Sequence, residues 1–327
     1  FEIAGRSRGF ADSTRTKIVK RASASYRKAM TTFAGMTELD LWTLRLDAGS
    51  LTQWVGQEAK AKTLANLQRN LAKAQRKDRF KALARLTETV DGDLRFVSDP
   101  PLLVPAHEVV GDLRGDELDQ VVQYLLGEYV QTLPYQNQRL LERYTYRHTA
   151  RKVVGVGSVG TRCWVILFTG RDDADPLFLQ VKQAEASVLE PFANPSTFSQ
   201  HGHRVVAGQS LVQAATDPFL GWVRYEAPEG PRDFYIRQLW DWKASADLTT
   251  MPAESMSIYA EICGWTLARA HARSGDRGAI AAYLGGSDTF DKAMAAFAVA
   301  YADQNDRDHA ALVEAIRTGR LVAETGI

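Results

Sequence analysis

Between Arg151 and Glu190 the chain reads RKVVGVGSVGTRCWVILFTGRDDADPLFLQVKQAEASVLE, in which Gly155, Gly157 and Gly160 complete a G-x-G-x-x-G. Glycines at this spacing reach backbone angles closed to other residues, and their N–H groups approach an anion closely. Phosphates are the anions such a loop suits, with Ser158 able to add a hydroxyl donor. Lys182 lies 22 residues beyond Gly160, where an ammonium can hold a phosphate as a point charge.

The segments around the glycines decide between readings. A dinucleotide site needs a helix after the glycines to receive the pyrophosphate. Here Thr161–Phe168 follows, β-branched and aromatic, which predicts a strand. Strand, glycine turn and strand make a hairpin, and Pro176–Lys182 reads as a third strand ending on the lysine. Protein kinases place their lysine on the strand after the glycine hairpin in this way, paired with a helix glutamate. Gln183–Glu190 has helical composition, so Glu185 or Glu190 could supply that partner. A kinase-like phosphate cradle and a plain glycine-rich turn with a solvated lysine both remain open on these residues.

Other constellations carry less. His271-Ala272-Arg273-Ser274-Gly275-Asp276 could stand in for a catalytic loop with Asp276 as base, but the position five residues on is Ala281 rather than asparagine. Its place at a helix end also fits capping. Arg237, Asp241 and Lys243 follow the last predicted strand, where kinase-like folds place a hinge, flanked by Trp240 and Trp242. His201-Gly202-His203 has metal-compatible spacing without an evident third ligand, and no metal site is assigned. Ser158 is not a nucleophile elbow, because Val156 stands two residues before it.

The elements that must position these residues fall into three regions. Residues 1–147 read as helical, starting with Asp12-Ser13-Thr14 as cap residues and continuing to about residue 90, with a second helical stretch over 116–146 broken at Pro134. Asp91-Gly92-Asp93 is a turn, and Asp99-Pro100-Pro101 with Pro105 forces an extended connector. Residues 148–245 form a sheet lobe: the glycine hairpin, the Lys182 strand, Phe219–Tyr225 and Phe234–Leu239, five strands in antiparallel order with short helices near 184–189 and 205–215. Residues 246–327 are helical again, over 258–273 and 289–301. The fold class is α+β, mainly helical.

The 327 residues carry 24% charged residues and a net charge of +1. Residues 1–90 hold 18 Lys and Arg against 8 Asp and Glu, so this region is basic and the remainder offsets it. Leu64, Leu67, Leu71, Phe80, Leu83 and Leu86 recur among these charges at near-helical spacing, which makes the charges outer faces of amphipathic helices. No stacking aromatics interleave with them, which argues against nucleic-acid binding. The first twenty residues contain no apolar signal region, and no stretch reaches bilayer length. A soluble, cytoplasmic protein with no membrane partner is expected. Cys163 and Cys263 are too few for a disulfide framework and read as buried thiols.

Several long blocks carry a resemblance: RKVVGVGSVGTRCWVILFTG, DPLFLQVKQAEASVLE, HRVVAGQSLVQAATDPFLGW, FYIRQLWDWKAS, LARAHARSGDRGAIAAYLGGSD and FAVAYADQNDRDH. Together with LARLTETVDGDLRFVSDPPLLVP they resemble the bacterial family of domain of unknown function 2252. The resemblance implies an architecture like a permuted protein kinase or aminoglycoside phosphotransferase, with ATP and Mg²⁺ as cofactors and a small-molecule phosphate acceptor. Family members usually carry a His-Gly-Asp-x-His-x-x-Asn block and an Asp-x-Asn-Asp-x-Asp block ahead of the glycine loop. Neither stands ahead of the glycine loop in this sequence, and the stretch Phe1-Glu2-Ile3-Ala4-Gly5-Arg6 resembles a family segment with residues missing after Glu2. The expectation is a protein that binds nucleotide through Gly155, Gly157, Ser158, Gly160, Lys182 and Glu190 while lacking the loops that would turn it over; the alternatives are a non-catalytic interaction protein that keeps the fold, or a fragment of an active small-molecule phosphotransferase.

Overall fold

The computed structural model describes residues 1–58, 79–109, 115–153, 155, 160–239 and 246–323. Their elements run α1 (Glu2–Ser7), α2 (Asp12–Ala34), α3 (Glu38–Thr43), α4 (Ala48–Glu58), α5 (Arg79–Leu86), β1 (Thr87–Val90), β2 (Asp93–Phe96), β3 (Leu103–Pro105), α6 (Ala106–Val109), α7 (Gly115–Val130) and α8 (Tyr135–Leu141). They continue β4 (Thr145–Lys152), β5 (Cys163–Thr169), β6 (Pro176–Ala184), α9 (His201–Val212), β7 (Gly221–Ala227), β8 (Gly230–Gln238), α10 (Ala253–Ser274), α11 (Arg277–Leu284) and α12 (Thr289–Arg317). The chain divides into two units, one formed by 1–73, 211–214 and 244–326, the other by 74–210 and 215–243.

The first unit is helical, and its centre is the packing of α2 on α10. Ile18, Met30 and Phe33 of α2 are buried, as are Met256, Ala260 and Ala268 of α10. Small residues let the two backbones approach: a Cβ built on Gly264 would lie 2.2 Å from the carbonyl oxygen of Ala22. Two buried carboxylates are matched by arginines. Glu2 accepts from Nε of both Arg6 and Arg15 at 3.0 and 2.8 Å, and Asp291 of α12 accepts a two-pronged bond from Arg27. Asp12 does not cap α2, since the N-cap is Ala11 without a side-chain bond. It lies in the first turn instead, where it pairs with Arg15 at 2.9 Å and complements the helix dipole.

The second unit holds an antiparallel sheet of order β3-β4-β5-β6-β8-β7 and a separate hairpin, β1-β2. The five expected strands are present; the sixth is β3, which pairs with β4 through Leu103↔Lys152 and Val104↔Arg151. Proline tolerates this placement because β3 is an edge strand. Both sheet faces are covered, so β5 is buried along nearly its whole length. Ile166, Phe168, Leu179, Val181 and Ile236 face α7 and α8. Val165, Leu167 and Phe178 face α5 and the β1-β2 hairpin, through Ala82, Leu86 and Phe96.

Several boundaries differ from the sequence expectation, and α12 runs on to Arg317, past the expected end at 301. The helical reading to residue 90 ends at Leu86, because Asp91 and Gly92 both adopt positive φ, 53° and 88°, the pattern of a tight hairpin turn. The stretch read as helical to Tyr146 gives way to β4 at Thr145, where pairing with Thr169 begins. Gln183–Glu190 is not a helix: Gln183 and Ala184 continue β6 by pairing with Phe234 and Asp233, and a single 3-10 turn spans Glu190–Phe192. Leu64, Leu67 and Leu71 lie outside the described residues.

His148 ties the hairpin to the sheet, since its Nδ1 accepts the backbone N–H of Phe96 at 3.1 Å. That bond needs a neutral ring. Burial, then the neighbouring charges of His107 and Arg95, push its pKa down from 6.5 to about 4. An unfolded chain takes up this proton first, so the stability His148 contributes is present above pH 6.5 and is lost as pH falls toward 4. The unfolding temperature of the sheet unit is therefore expected to drop across this window. A His148→Gln variant should flatten that dependence; an equally steep fall in the variant would assign the effect to other groups.

Candidate functional site

The glycine loop is the connector 153–162 between β4 and β5. Gly155 and Gly160 hold φ of 119° and 83°, angles that side chains rarely adopt. A Cβ at either would meet nothing within 4 Å, so backbone conformation rather than crowding calls for glycine. Gly157 and Ser158 lie outside the described residues. The loop's exit is held beside the lysine strand: Gln183 N–H donates to Arg162 O at 2.9 Å, and Arg162 N–H donates to Gln183 Oε1 at 3.2 Å.

Strand register places Lys182 at the same end of the sheet. Cys163, the first residue of β5, pairs with Lys182, which pairs in turn with Tyr235 of β8. Residues directly opposite one another share a face. Gln180, two positions before Lys182, lies on that face too: its Nε2 donates to Cys163 Sγ at 3.8 Å, and its Oε1 accepts from Nε and Nη2 of Arg237, each at 3.3 Å. Burial pushes the Cys163 thiol up, while Lys182, Lys152 and Arg237 pull it down. Three cations from β4, β6 and β8 thus act on one point. Lys152 is itself pushed down by burial and by Arg85, with Cys163 and Asp99 opposing.

The ammonium of Lys182 has no hydrogen-bond or ion-pair partner among the described residues. Glu185 accepts from Gln183 Nε2 at 3.2 Å. Glu190 accepts from the N–H of Ser187 at 3.3 Å and borders a cleft of about 330 Å³ with Ser187, Asn194 and Arg204. Helix α9, between the Lys182 strand and β7, reads HGHRVVAGQSLV and has no acidic residue to offer.

The remaining candidates have structural partners. His271 and Asp276 belong to the helical unit, whereas the glycine loop and Lys182 belong to the sheet unit. His271 Nδ1 bonds the Tyr26 hydroxyl at 2.9 Å, and Asp276 caps α11 by accepting from Ala279 N–H. His203 stacks on Trp222 at 3.9 Å. The His201 N–H donates to Asp233 Oδ2 at 2.7 Å, and Asp233 also accepts from Arg224. This buried carboxylate fastens the start of α9 to β8, where a Cβ on Gly202 would come within 2.1 Å of Phe234 O. Among the described residues no group of three or more His, Cys, Asp or Glu could hold a metal ion, and no helix is long and apolar enough to cross a membrane. Trp240, Asp241, Trp242 and Lys243 lie outside the described residues.

Lys152 and Gln180 were not identifiable as site residues from spacing alone. The signal existed in one form: Lys152 and Cys163 bracket the glycine loop, so a symmetric hairpin count pairs them. No curated protein and no solved structure matches the chain. The family described as "Uncharacterized protein conserved in bacteria (DUF2252)" matches residues 1–315. The chain that carries this glycine loop and its row of cations belongs to that bacterial family.

Proposed function

We propose that the sheet unit binds a nucleoside triphosphate, ATP in the first instance, through its phosphates. The observation that carries this reading is the ammonium of Lys182, without a partner among the described residues, at the glycine-loop end of the sheet, on the face it shares with Gln180 and Arg237 and near Lys152. Asp99 acts on Lys152, but Lys182 has no matching carboxylate among the described residues; like charges so gathered repel one another, and an anion between them relieves that repulsion. The order glycine hairpin, lysine strand, then a helix before the next strand supports the kinase-like variant of this reading.

Two departures shape the proposed activity. The helix that would supply the lysine's glutamate has no acidic residue, and neither the His-Gly-Asp nor the Asp-x-Asn-Asp-x-Asp block stands ahead of the glycine loop; the one Asp-x-Asn-Asp-x-Asp string, at 303–308, lies in α12, where Asp303 and Asp306 pair with Arg6. Phosphoryl transfer needs a residue to orient the acceptor hydroxyl and ligands for Mg²⁺. The described residues fit the phosphates better than the metal, since they offer cations there and no carboxylate cluster. The chain on this reading binds ATP without turning it over.

Isothermal titration tests it. Wild type is expected to bind ATP with an affinity that falls as salt rises, and Lys182→Ala to weaken binding at least tenfold, about 1.4 kcal/mol. Lys182→Arg should retain part of the affinity. Negligible heat for wild type, or equal affinities for wild type and Lys182→Ala, would sink the proposal.

A further inference from the structure

The opposite face of the same strands carries a feature that phosphate binding does not use. Alternation along β5, β6 and β8 sends Trp164, Val181 and Ile236 away from Cys163, Lys182 and Arg237, toward α7. Between that face and α7 lies a cavity of about 170 Å³. Leu118, Val122 and Leu125 border it from the helix, and Trp164, Ile166 and Val181 from the sheet. None of the described side chains around it carries a charge. Thr149 adds a hydroxyl, but its Oγ1 is already bonded to the Tyr146 hydroxyl at 3.1 Å.

Protein interiors close-pack, and voids much larger than a water molecule are few. Water is a poor occupant here, because it needs two to four polar partners and the walls offer almost none. Apolar cavities of about 150 Å³ admit a molecule the size of benzene. We propose that this cavity is a binding site for a small, neutral, apolar molecule: a one- or two-ring aromatic, or a short aliphatic chain, of roughly six to ten heavy atoms. Volume sets the size limit, the apolar walls set the polarity, and the lack of a charged group excludes ionic ligands. The site is separate from the proposed phosphate site, and it stands whether or not ATP binds.

The test uses indole as the probe and the full chain. Saturation-transfer NMR and titration calorimetry should show saturable one-to-one binding to wild type. Val122→Phe places a ring in the cavity and should reduce indole affinity at least tenfold, while Tyr124→Ala, on the exposed side of the same helix, should leave it unchanged. If Val122→Phe fails to fold, Leu125→Phe takes its place as the filling variant. Lys182→Ala should not alter indole binding, which separates this outcome from failure of the phosphate reading. Absence of saturable binding to wild type, or binding that survives filling of the cavity in a folded variant, would overturn the inference.

Discussion

Asp291→Ala is expected to destabilise the helical unit by about 3–5 kcal/mol, because it leaves the Arg27 guanidinium buried without its counter-charge. The side chains of Arg27 and Asp291 are 11% and 4% exposed, and the pair joins at 3.1 Å through Nε and 2.7 Å through Nη2. A third Arg27 bond reaches the carbonyl of Gly286 at 3.3 Å, so the guanidinium is anchored and cannot turn to water when the carboxylate is removed. The effect belongs to one unit. In a guanidinium chloride titration, only the transition of the helical unit should move to lower denaturant, with its slope unchanged. Replacing both partners, as Arg27→Met with Asp291→Leu, should recover most of the loss, since paired buried charges often do little better than apolar residues of similar volume. A shift below about 1 kcal/mol for Asp291→Ala would place the pair among weak surface bridges.

Gly264→Ala should cost about 3 kcal/mol, at the upper end of overpacking penalties. The sign is informative, because alanine in a helix interior is ordinarily better than glycine by about 1 kcal/mol. At position 264 the added methyl meets the Ala22 carbonyl oxygen at 2.2 Å and Ser25 Cβ at 3.2 Å. Backbone cannot rotate aside, so α2 and α10 would have to separate along the packing that organises their unit. Gly208 in α9 supplies the contrast, as a Cβ there meets nothing within 4 Å. Gly208→Ala should be neutral or raise stability by about 0.5–1 kcal/mol. Thermal unfolding of the two variants beside wild type measures both signs; equal and small shifts would mean the helices tolerate a wider spacing.

The long elements were legible because their signals repeat. Helices α2, α10 and α12 show apolar residues at helical spacing over many turns, and β5 and β6 are continuous apolar runs of strand length. Short elements escaped where local signals conflict. Thr87–Val90 is mostly exposed, so it lacks the alternation of a half-buried strand, although the Asp91-Gly92 turn beside it was visible. Leu103–Pro105 is a three-residue strand containing a proline, and it exists only because β4 offers it an edge. Gln183–Glu190 has a helix-favouring composition, but pairing of its first two residues with β8 and the 3-10 turn at its end leave no room for a helix.

By itself the sequence determined the residue types of the candidate site: glycines in a hairpin connector, a lysine on the next strand, and no acidic or histidine block of the phosphoryl-transfer kind ahead of them. Tertiary structure decided their company. Period-two alternation divides a strand's residues between two faces without saying which face meets which neighbour, and register settles that. Register gathered Lys152, Lys182 and Arg237 around Cys163, gave Lys182 no glutamate among the described residues, and turned Trp164, Val181 and Ile236 toward the cavity behind them. Charge repulsion and packing act through space, so neither could be read until the strands were paired.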